Sequence, residues 1–417
     1  MSMNVMTALC TLAEDTAAVR EKLRANPDKV YFPNFGNTNN ILREGIRIDR
    51  AAFTIPGLNF TVYWYGLLIG IGILLAMIYG FRKMRPCGID PDRATDGIIG
   101  GVIGALIGLR LYYIIFNTEG VTFKDFFNFR DGGLGIYGGL IGAVLVGGTI
   151  IKLKKVRLSA MLDVTAPCFL IGQCIGRWGN FFNQECFGAN TDKPWGMLSW
   201  STATFLDEHY DTLTEMDAYK PVHPCFLYES LWCLLGFILL HLYFKHRKFD
   251  GEIFIMYAGW YGLGRFFIEG LRTDSLYLGH IRVSQLVAGT CVVASLILWI
   301  VFRSITKRSG NYKFFYETEL SKAQLKEYTD YEKMQKEKKE LKKKIAEAKH
   351  KGESFAELEK EYEKKFGKEA VKAHKAELKA AEEKDKTEVP DEGYKSILDD
   401  DDEEEEKKDS SGKDVEK

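Results

Sequence analysis

Between Tyr63 and Phe302 the apolar residues come in long runs with no polar stripe. Leu67–Met77, Leu140–Gly148 and Leu234–Leu240 lack the charged face that a helix on a soluble protein carries. A helix needs about 20 residues to cross the hydrocarbon of a bilayer. Seven segments are candidates: Tyr63–Phe81, Asp96–Phe116, Leu134–Leu153, Ala160–Ile175, Phe226–Phe244, Glu252–Ile268 and Val283–Phe302. The fourth and sixth are short, and the fourth contains Asp163 and Pro167. The pattern predicts an all-α polytopic integral membrane protein with about seven transmembrane helices. Its parts are an N-terminal segment (1–52), a seven-helix membrane domain (53–305) and a charged, helical to disordered tail (306–417).

The polar positions give the orientation. Arg82–Arg85, Lys152–Arg157, Lys245–Lys248 and Lys307-Arg308 each follow an odd-numbered span. With seven spans, all four lie on one side, and basic loops mark the cytoplasmic side. The N-terminus is then outside and the tail cytoplasmic. No cleavable signal peptide is expected, because Asp15, Glu21 and Asp28 interrupt the N-terminal region. Glycines recur in the second and third spans, from Gly97 to Gly108 and at Gly138, Gly139 and Gly142. They suit close approach of two helices, and no strand precedes them as a phosphate-binding loop requires.

Net charge, −1 over 417 residues, averages two unlike parts. From about Lys307 onward the chain is mostly Lys, Glu, Asp and Ala. Glu319–Glu383 pairs Glu with Lys at helical spacing and has few apolar positions, as an isolated solvated helix or weak coiled coil would. Asp399–Glu406 is an unbroken acidic run. It reads as a solubilising tail or as a docking site for a basic partner. The eight cysteines are scattered with no CxxC pair. Cys186 and Cys225 fall in one proposed outer loop. No cluster has metal-ligand spacing, so neither metal nor cofactor is expected, and no nucleic-acid partner.

Against this apolar background, four polar clusters stand at outward helix ends. They are Gly176–Gly188, His223–Glu229, Tyr261–Arg272 and Asp131–Gly139. Charge near bilayer depth is costly and marks function by default. Arginine suits a phosphodiester there, because it stays charged and presents a planar fork of donors. Arg177 and Arg265 are therefore the candidate phosphate ligands, with Glu185 and Glu269 to hold them. The ordinary alternative for Arg265 and Glu269 is a structural pair at i,i+4. His223 alone reads more simply as a helix-start residue.

These motifs resemble the bacterial prolipoprotein diacylglyceryl transferase family. The resemblance runs from about Phe53 to Phe302. It rests on Trp64-Tyr65-Gly66-Leu67, Asp131–Gly142, the Gly176–Gly188 block, His223-Pro224 with Leu227-Tyr228-Glu229, and Arg265 with Glu269. It implies transfer of the diacylglyceryl group of phosphatidylglycerol to the lipobox cysteine thiol of a preprolipoprotein signal peptide. A thioether forms and glycerol phosphate leaves, the first step of lipoprotein maturation. It also implies roles for Tyr65, Asn180, Glu185, Gly188, Tyr261 and Glu269. Asn180 is assigned to the lipid headgroup, and Gly188 to a turn where a side chain would clash. Tyr137 stands where many members carry a histidine cast as the base. Tyrosine with its ordinary pKa near 10 is a poor base at neutral pH, so Tyr137, His223 and Glu269 all stay open for that role. The rival readings are a membrane transporter or binding protein for an anionic lipid, and a non-catalytic scaffold docking through its tail.

Overall fold

The computed structural model describes residues 16–35, 44–57, 60–116, 126, 135–211, 216–273, 277–278, 281–351, 354–367 and 370. Cys10, Asp131–Leu134 and the acidic run Asp399–Glu406 lie outside the described residues. The chain divides into two compact units, Met1–Thr329 and Asp330–Lys417.

The first unit is a helical membrane domain with a small extramembrane cap. Its long helices are α1 (Trp64–Met84), α2 (Pro91–Phe116), α3 (Ile136–Leu153) and α4 (Leu158–Asn183). After the short α5 (Trp200–Glu208) come α6 (Cys225–Tyr243), α7 (Glu252–Glu269) and α8 (Val283–Ser309). Six of these, all but α5 and α7, are long and apolar enough to cross a membrane. The protein is a multi-pass membrane protein. Its lipid-facing residues, such as Leu74, Ile103, Leu145 and Leu296, are exposed apolar side chains, as hydrocarbon requires. The seventh expected span, α7, carries Glu252, Arg265 and Glu269 and falls outside that set. Its ends still reach the two polar regions described below, one at Glu252 and one at Arg265–Glu269.

The largest departure from the expected spans is α4. It runs to Asn183 rather than stopping at Ile175, and it continues through Pro167. Arg177 and Asn180 therefore sit on helix, not in the loop after it. The helix ends at Gln184, which adopts left-handed backbone (φ 57°), and Cys186 repeats that conformation (φ 57°). The chain reverses there.

The repeated glycines of α2 and α3 mark a close helix pair. A Cβ on Gly104 or Gly108 would collide with the Gly142 or Gly138 carbonyl, and the reverse holds for Gly138 and Gly142. Backbones can approach this closely only where both helices carry hydrogen in place of a side chain. The main core of the domain lies among α1, α4, α6 and α7, with Ile89, Met161, Leu170 and Ile253 fully or nearly fully buried.

Seven β-strands are present among the described residues, all short. β1 (Lys29–Tyr31), β2 (Ile46–Arg47) and β5 (Leu198–Ser199) form a sheet in the order β2-β1-β5. Val30, Met197, Leu206 and Val222 bury a cap core beneath it, joined by Phe187 and Phe226 at the membrane side. Two hairpins border the helices: β3 (Ala51–Ile55) with β4 (Phe60–Tyr63), and β6 (Tyr277–Leu278) with β7 (Ile281–Arg282).

The first unit also extends past the expected boundary at residue 305. Residues 312–328 are laced onto the basic loops. Ser321 Oγ donates to the Gly88 carbonyl (2.6 Å), and Gln324 Nε2 donates to that of Lys154 (3.3 Å). Arg93 pairs with Glu327 (3.0 Å), and Phe315 is buried. The second unit contains most of α9 (Glu319–His350) and all of α10 (Ala356–Phe366). Leu341, Ile345 and Tyr362 bury against one another there, with Phe355, Leu358 and Phe366 around them. The segment is a pair of helices with a small shared core, which departs from the isolated-helix alternative of the sequence and lies nearer the weak coiled coil.

Candidate active site

Glu229 organises the site. It lies in the second turn of α6, 3% exposed, and three arginines from distant parts of the chain converge on it. Arg177 Nη2 from α4 reaches Oε2 at 2.5 Å, and Arg265 Nη1 from α7 donates to Oε1 at 2.8 Å. Arg272 Nη1, just past α7, lies 3.6 Å from Oε1. Arg265 also reaches Glu269 Oε2 at 2.7 Å, the expected i,i+4 pair. Glu229 Oε2 and Glu269 Oε2 face their guanidiniums at ion-pair distance but off the N–H direction. Among the described residues, Glu229 and Glu269 thus gather guanidiniums from α4, from α7 and from the segment just past α7 in a largely buried setting. Both Arg177 and Arg265 remain 21% exposed. Partly exposed guanidiniums held from behind by a carboxylate, as Arg177 and Arg265 are, are prepared for a further anion.

Helix packing fixes this geometry. Trp232 of α6 and Trp260 of α7 stack with centroids 4.2 Å apart. Each indole N–H donates to the other residue's carbonyl, at 2.9 and 3.0 Å. The two rings occupy the spaces over Gly264 and Gly236, where any Cβ would strike an indole nitrogen. Arg265 follows one of those glycines, and Glu229 lies one turn before Trp232. On α4, Trp178 Nε1 donates to Ser230 Oγ (3.1 Å), which donates to the Cys174 carbonyl (2.8 Å). Gln173 Nε2 donates to Tyr257 OH (3.1 Å). The three helices that carry the arginines and Glu229 are thus tied by directed side-chain bonds.

A backbone lattice closes the site on the cap side. The Gly188 N–H donates to His223 O (2.9 Å), His223 N–H to Ala189 O (2.9 Å), and Ala189 N–H to Leu271 O (2.8 Å). The signature loop, the entry to α6 and the exit from α7 are joined at one point. A Cβ on Gly188 would lie 2.7 Å from Leu271 O and 2.9 Å from Cys225 Sγ, so that position admits no side chain.

The other expected residues divide into near and far. Glu185 does not hold an arginine. It accepts from Asn180 Nδ2 (2.8 Å) and Asn183 Nδ2 (3.3 Å), because the left-handed turn at Gln184 folds it back over the last turn of α4. Tyr65 of α1 packs its ring over Gly179, the residue before Asn180. Tyr261 stacks on Tyr257 and is in electrostatic reach of Arg177, Glu229 and Arg265. His223 Nδ1 meets Tyr228 OH at 2.9 Å, and Trp195 Nε1 donates to the same hydroxyl (2.5 Å). Burial, and then the Lys193 charge, lower the His223 pKa, which favours the neutral imidazole. Tyr137 lies at the start of α3, 45% exposed, with its ring 6.3 Å from Tyr112. Among the described residues no hydrogen bond or ion pair joins it to the arginine cluster. Cys186 and Cys225 are not bridged by a disulfide, and Arg272 Nη2 lies 3.3 Å from Cys186 Sγ. No group of three or more potential metal-ligating side chains occurs among the described residues.

Sequence reasoning passed over Glu229 and Arg272, although both stood inside the clusters it singled out. The available signal was a carboxylate within an apolar span, where an ionised group needs a partner.

A family model described as prolipoprotein diacylglyceryl transferase matches residues 50–301. The chain is 40% identical over 259 residues to the phosphatidylglycerol–prolipoprotein diacylglyceryl transferase of Finegoldia magna, covering 61% of this chain and 96% of that protein. The enzyme of the same name from Clostridioides difficile is 37% identical over 266 residues, 63% of this chain and 98% of its own. That of Bacillus cereus strain B4264 is 40% identical over 272 residues, 64% and 96% respectively. Arg177, Glu229, Arg265, Glu269 and Arg272 all fall inside the matched region, and the chain belongs to the prolipoprotein diacylglyceryl transferase family.

Proposed function

We propose that this protein transfers the diacylglyceryl group of phosphatidylglycerol to the lipobox cysteine of a preprolipoprotein. The observation that carries this reading is the convergence of Arg177, Arg265 and Arg272 on buried Glu229, in a chain whose relatives are named for that reaction. The substrate thiol reacts as its thiolate. A carbon–sulfur bond forms to the glyceryl carbon of the lipid as that carbon's bond to the phosphate oxygen breaks. The electron pair leaves with glycerol phosphate, which gains negative charge. Arg177 and Arg265 stabilise that charge, and preorganised donors are most effective where water is excluded. Glu229 and Glu269 are positioning residues for the arginines. None of the protein's own cysteines is required.

The remaining roles follow from placement. Asn180, its amide N–H committed to Glu185, accepts from a headgroup hydroxyl through its carbonyl oxygen. Tyr65 and Tyr261 border the lipid on the α1 and α7 sides, and Gly188 keeps the cap lattice tight enough to close the pocket. Tyr137, His223 and Glu269 are the proton acceptors to separate by experiment. Tyr137→Phe leaves the pH–rate profile unchanged if the tyrosine is not the base. The basic loops face the cytoplasm and the arginine site faces outward across a bacterial inner membrane, by the bias of Lys and Arg to inner loops.

The test is reconstitution of purified protein with phosphatidylglycerol and a lipobox peptide. Lipid moves to the peptide cysteine, and a peptide with serine in its place stays unmodified. Absence of transfer by well-folded protein overturns the reading.

A further inference from the structure

A cavity lies at the other end of the membrane domain from the arginine cluster, where α8 leaves the apolar region. Its volume is about 550 Å³. Lys248 from the α6–α7 loop, Arg303, Ser304, Thr306 and Lys307 from α8, and Tyr312 line it. This is three cations and three hydroxyls, with no carboxylate in the lining. Arg303 is already engaged. Its Nε lies 3.3 Å from Glu252 Oε1, its Nη2 donates to Tyr243 OH (3.2 Å), and its guanidinium stacks over the Trp299 ring at 4.9 Å. Lys248 and Lys307 have no carboxylate within ion-pair distance among the described residues. Among the described residues, Glu252 forms no ion pair with either ammonium group. Its oxygens take Tyr243 OH, Trp299 Nε1, Arg303 and the Lys248 backbone N–H. Two uncompensated ammonium groups beside a fixed guanidinium make a concave anion site.

The rim identifies the kind of anion. Ile300, one turn before Ser304 on the same face of α8, is 51% exposed, the exposure of a side chain that faces hydrocarbon. A soluble phosphate gains nothing from that border, whereas a lipid lays its acyl chains along it. Clustered cations at the basic end of membrane helices attract acidic headgroups. We propose that this cavity holds the phosphodiester headgroup of an anionic diacyl phospholipid from the leaflet on the basic face. Lys248 and Lys307 bind the phosphate, Arg303 bounds the site, and the hydroxyls of Ser304, Thr306 and Tyr312 serve the polar part of the headgroup. The site goes beyond the transfer reaction, because it lies at the other end of α7 from the arginine cluster. Six of its seven lining residues, from Arg303 to Tyr312, fall after the family match ends at residue 301.

The test uses the full-length protein in detergent, native mass spectrometry and phosphatidylserine, an anionic lipid without the glycerol headgroup of the proposed donor. One phosphatidylserine is retained by the unmodified protein, and phosphatidylcholine is not. Each lysine near an anionic lipid surface contributes roughly fivefold in affinity. Lys307→Gln therefore weakens retention about fivefold and the Lys248→Gln/Lys307→Gln pair about twenty-five-fold, while Lys307→Arg restores it. Arg177→Ala leaves it unchanged. Equal retention by the double variant, equal retention of phosphatidylcholine, or loss with Arg177→Ala in place of the lysine changes overturns the proposal. So does displacement of the lipid by millimolar inorganic phosphate, which would identify a soluble ligand.

Discussion

Helix α7 carries charge at both of its ends, and the two clusters use their carboxylates differently. At the basic end, each carboxylate ties down backbone. Asp163 accepts from the Gly251 and Phe254 N–H groups (2.9 and 3.1 Å) and so caps the start of α7. Asp250 accepts from Phe315 N–H (2.8 Å) and pairs with Arg157 (2.7 Å). Glu252 takes a backbone N–H, an indole and a phenol. At the other end, Glu229 and Glu269 meet guanidiniums and, among the described residues, no backbone N–H. One cluster closes the chain on itself. The other holds three arginines in place without fixing the main chain around them. A buried ion pair is weak evidence for stability and costs desolvation, so the second arrangement needs a reason outside folding, and an anionic substrate supplies it.

The comparison breaks first at Glu229. Glu229→Gln keeps the shape and removes the charge that positions the arginines. The expected loss in transfer rate is on the order of a hundredfold, the scale of losing one preorganised charge contact, read by peptide lipidation. An unchanged rate would move Glu229 to the structural class. At the basic end the loss falls on stability instead. A chain ending after Lys307 lacks buried Phe315 and the Ser321, Gln324 and Glu327 contacts. Burial of one large apolar side chain contributes about 2 kcal/mol and each hydrogen bond about 1 kcal/mol, so melting falls by roughly 10 °C. A chain ending after Thr329 keeps the native midpoint. Similar midpoints for the two truncations would show that residues 312–328 do not brace the domain.

Asp163→Asn sharpens the same contrast at a single atom. One oxygen that accepts a backbone N–H becomes a donor, at an expected cost of about 1–3 kcal/mol, with transfer per folded molecule unchanged. The smallest effect is at His223. Its pKa lies below the ordinary value because burial and Lys193 disfavour the charged ring. The unfolded chain then takes up a proton before the folded one as pH falls through about 6.5. Stability falls with acid over that window, and His223→Gln makes the thermal midpoint less sensitive to pH between 7 and 5. An identical pH slope in the variant would remove the histidine from the account.

What was legible in the chain was mostly local. Apolar runs located the long helices to within about five residues, except at the C-terminal ends of α4 and α8, where polar residues after Ile175 and Phe302 concealed about two more helical turns each. The Arg265–Glu269 pair and the glycine contacts of α2 and α3 follow from helical spacing. The centre of the site did not, because Glu229 meets Arg177 across 52 positions and Arg265 across 36, and no periodicity records such pairings. Glu185 was misassigned to an arginine for a related reason. Its neighbours were read along the sequence, whereas the left-handed turn at Gln184 decides which way it faces. The strap after α8 looked solvated because its anchors are isolated residues, Phe315, Ser321 and Gln324, whose partners lie in three separate loops.

The central claim is that the arginines gathered on Glu229 stabilise the phosphate that leaves phosphatidylglycerol. The most direct measurement is the turnover rate of purified Arg177→Ala in transfer to a lipobox peptide, with thermal stability read on the same preparation. The account predicts a rate lower by about 10²–10³-fold and a melting midpoint within a few degrees of the unmodified protein. Transfer at the unmodified rate would contradict it.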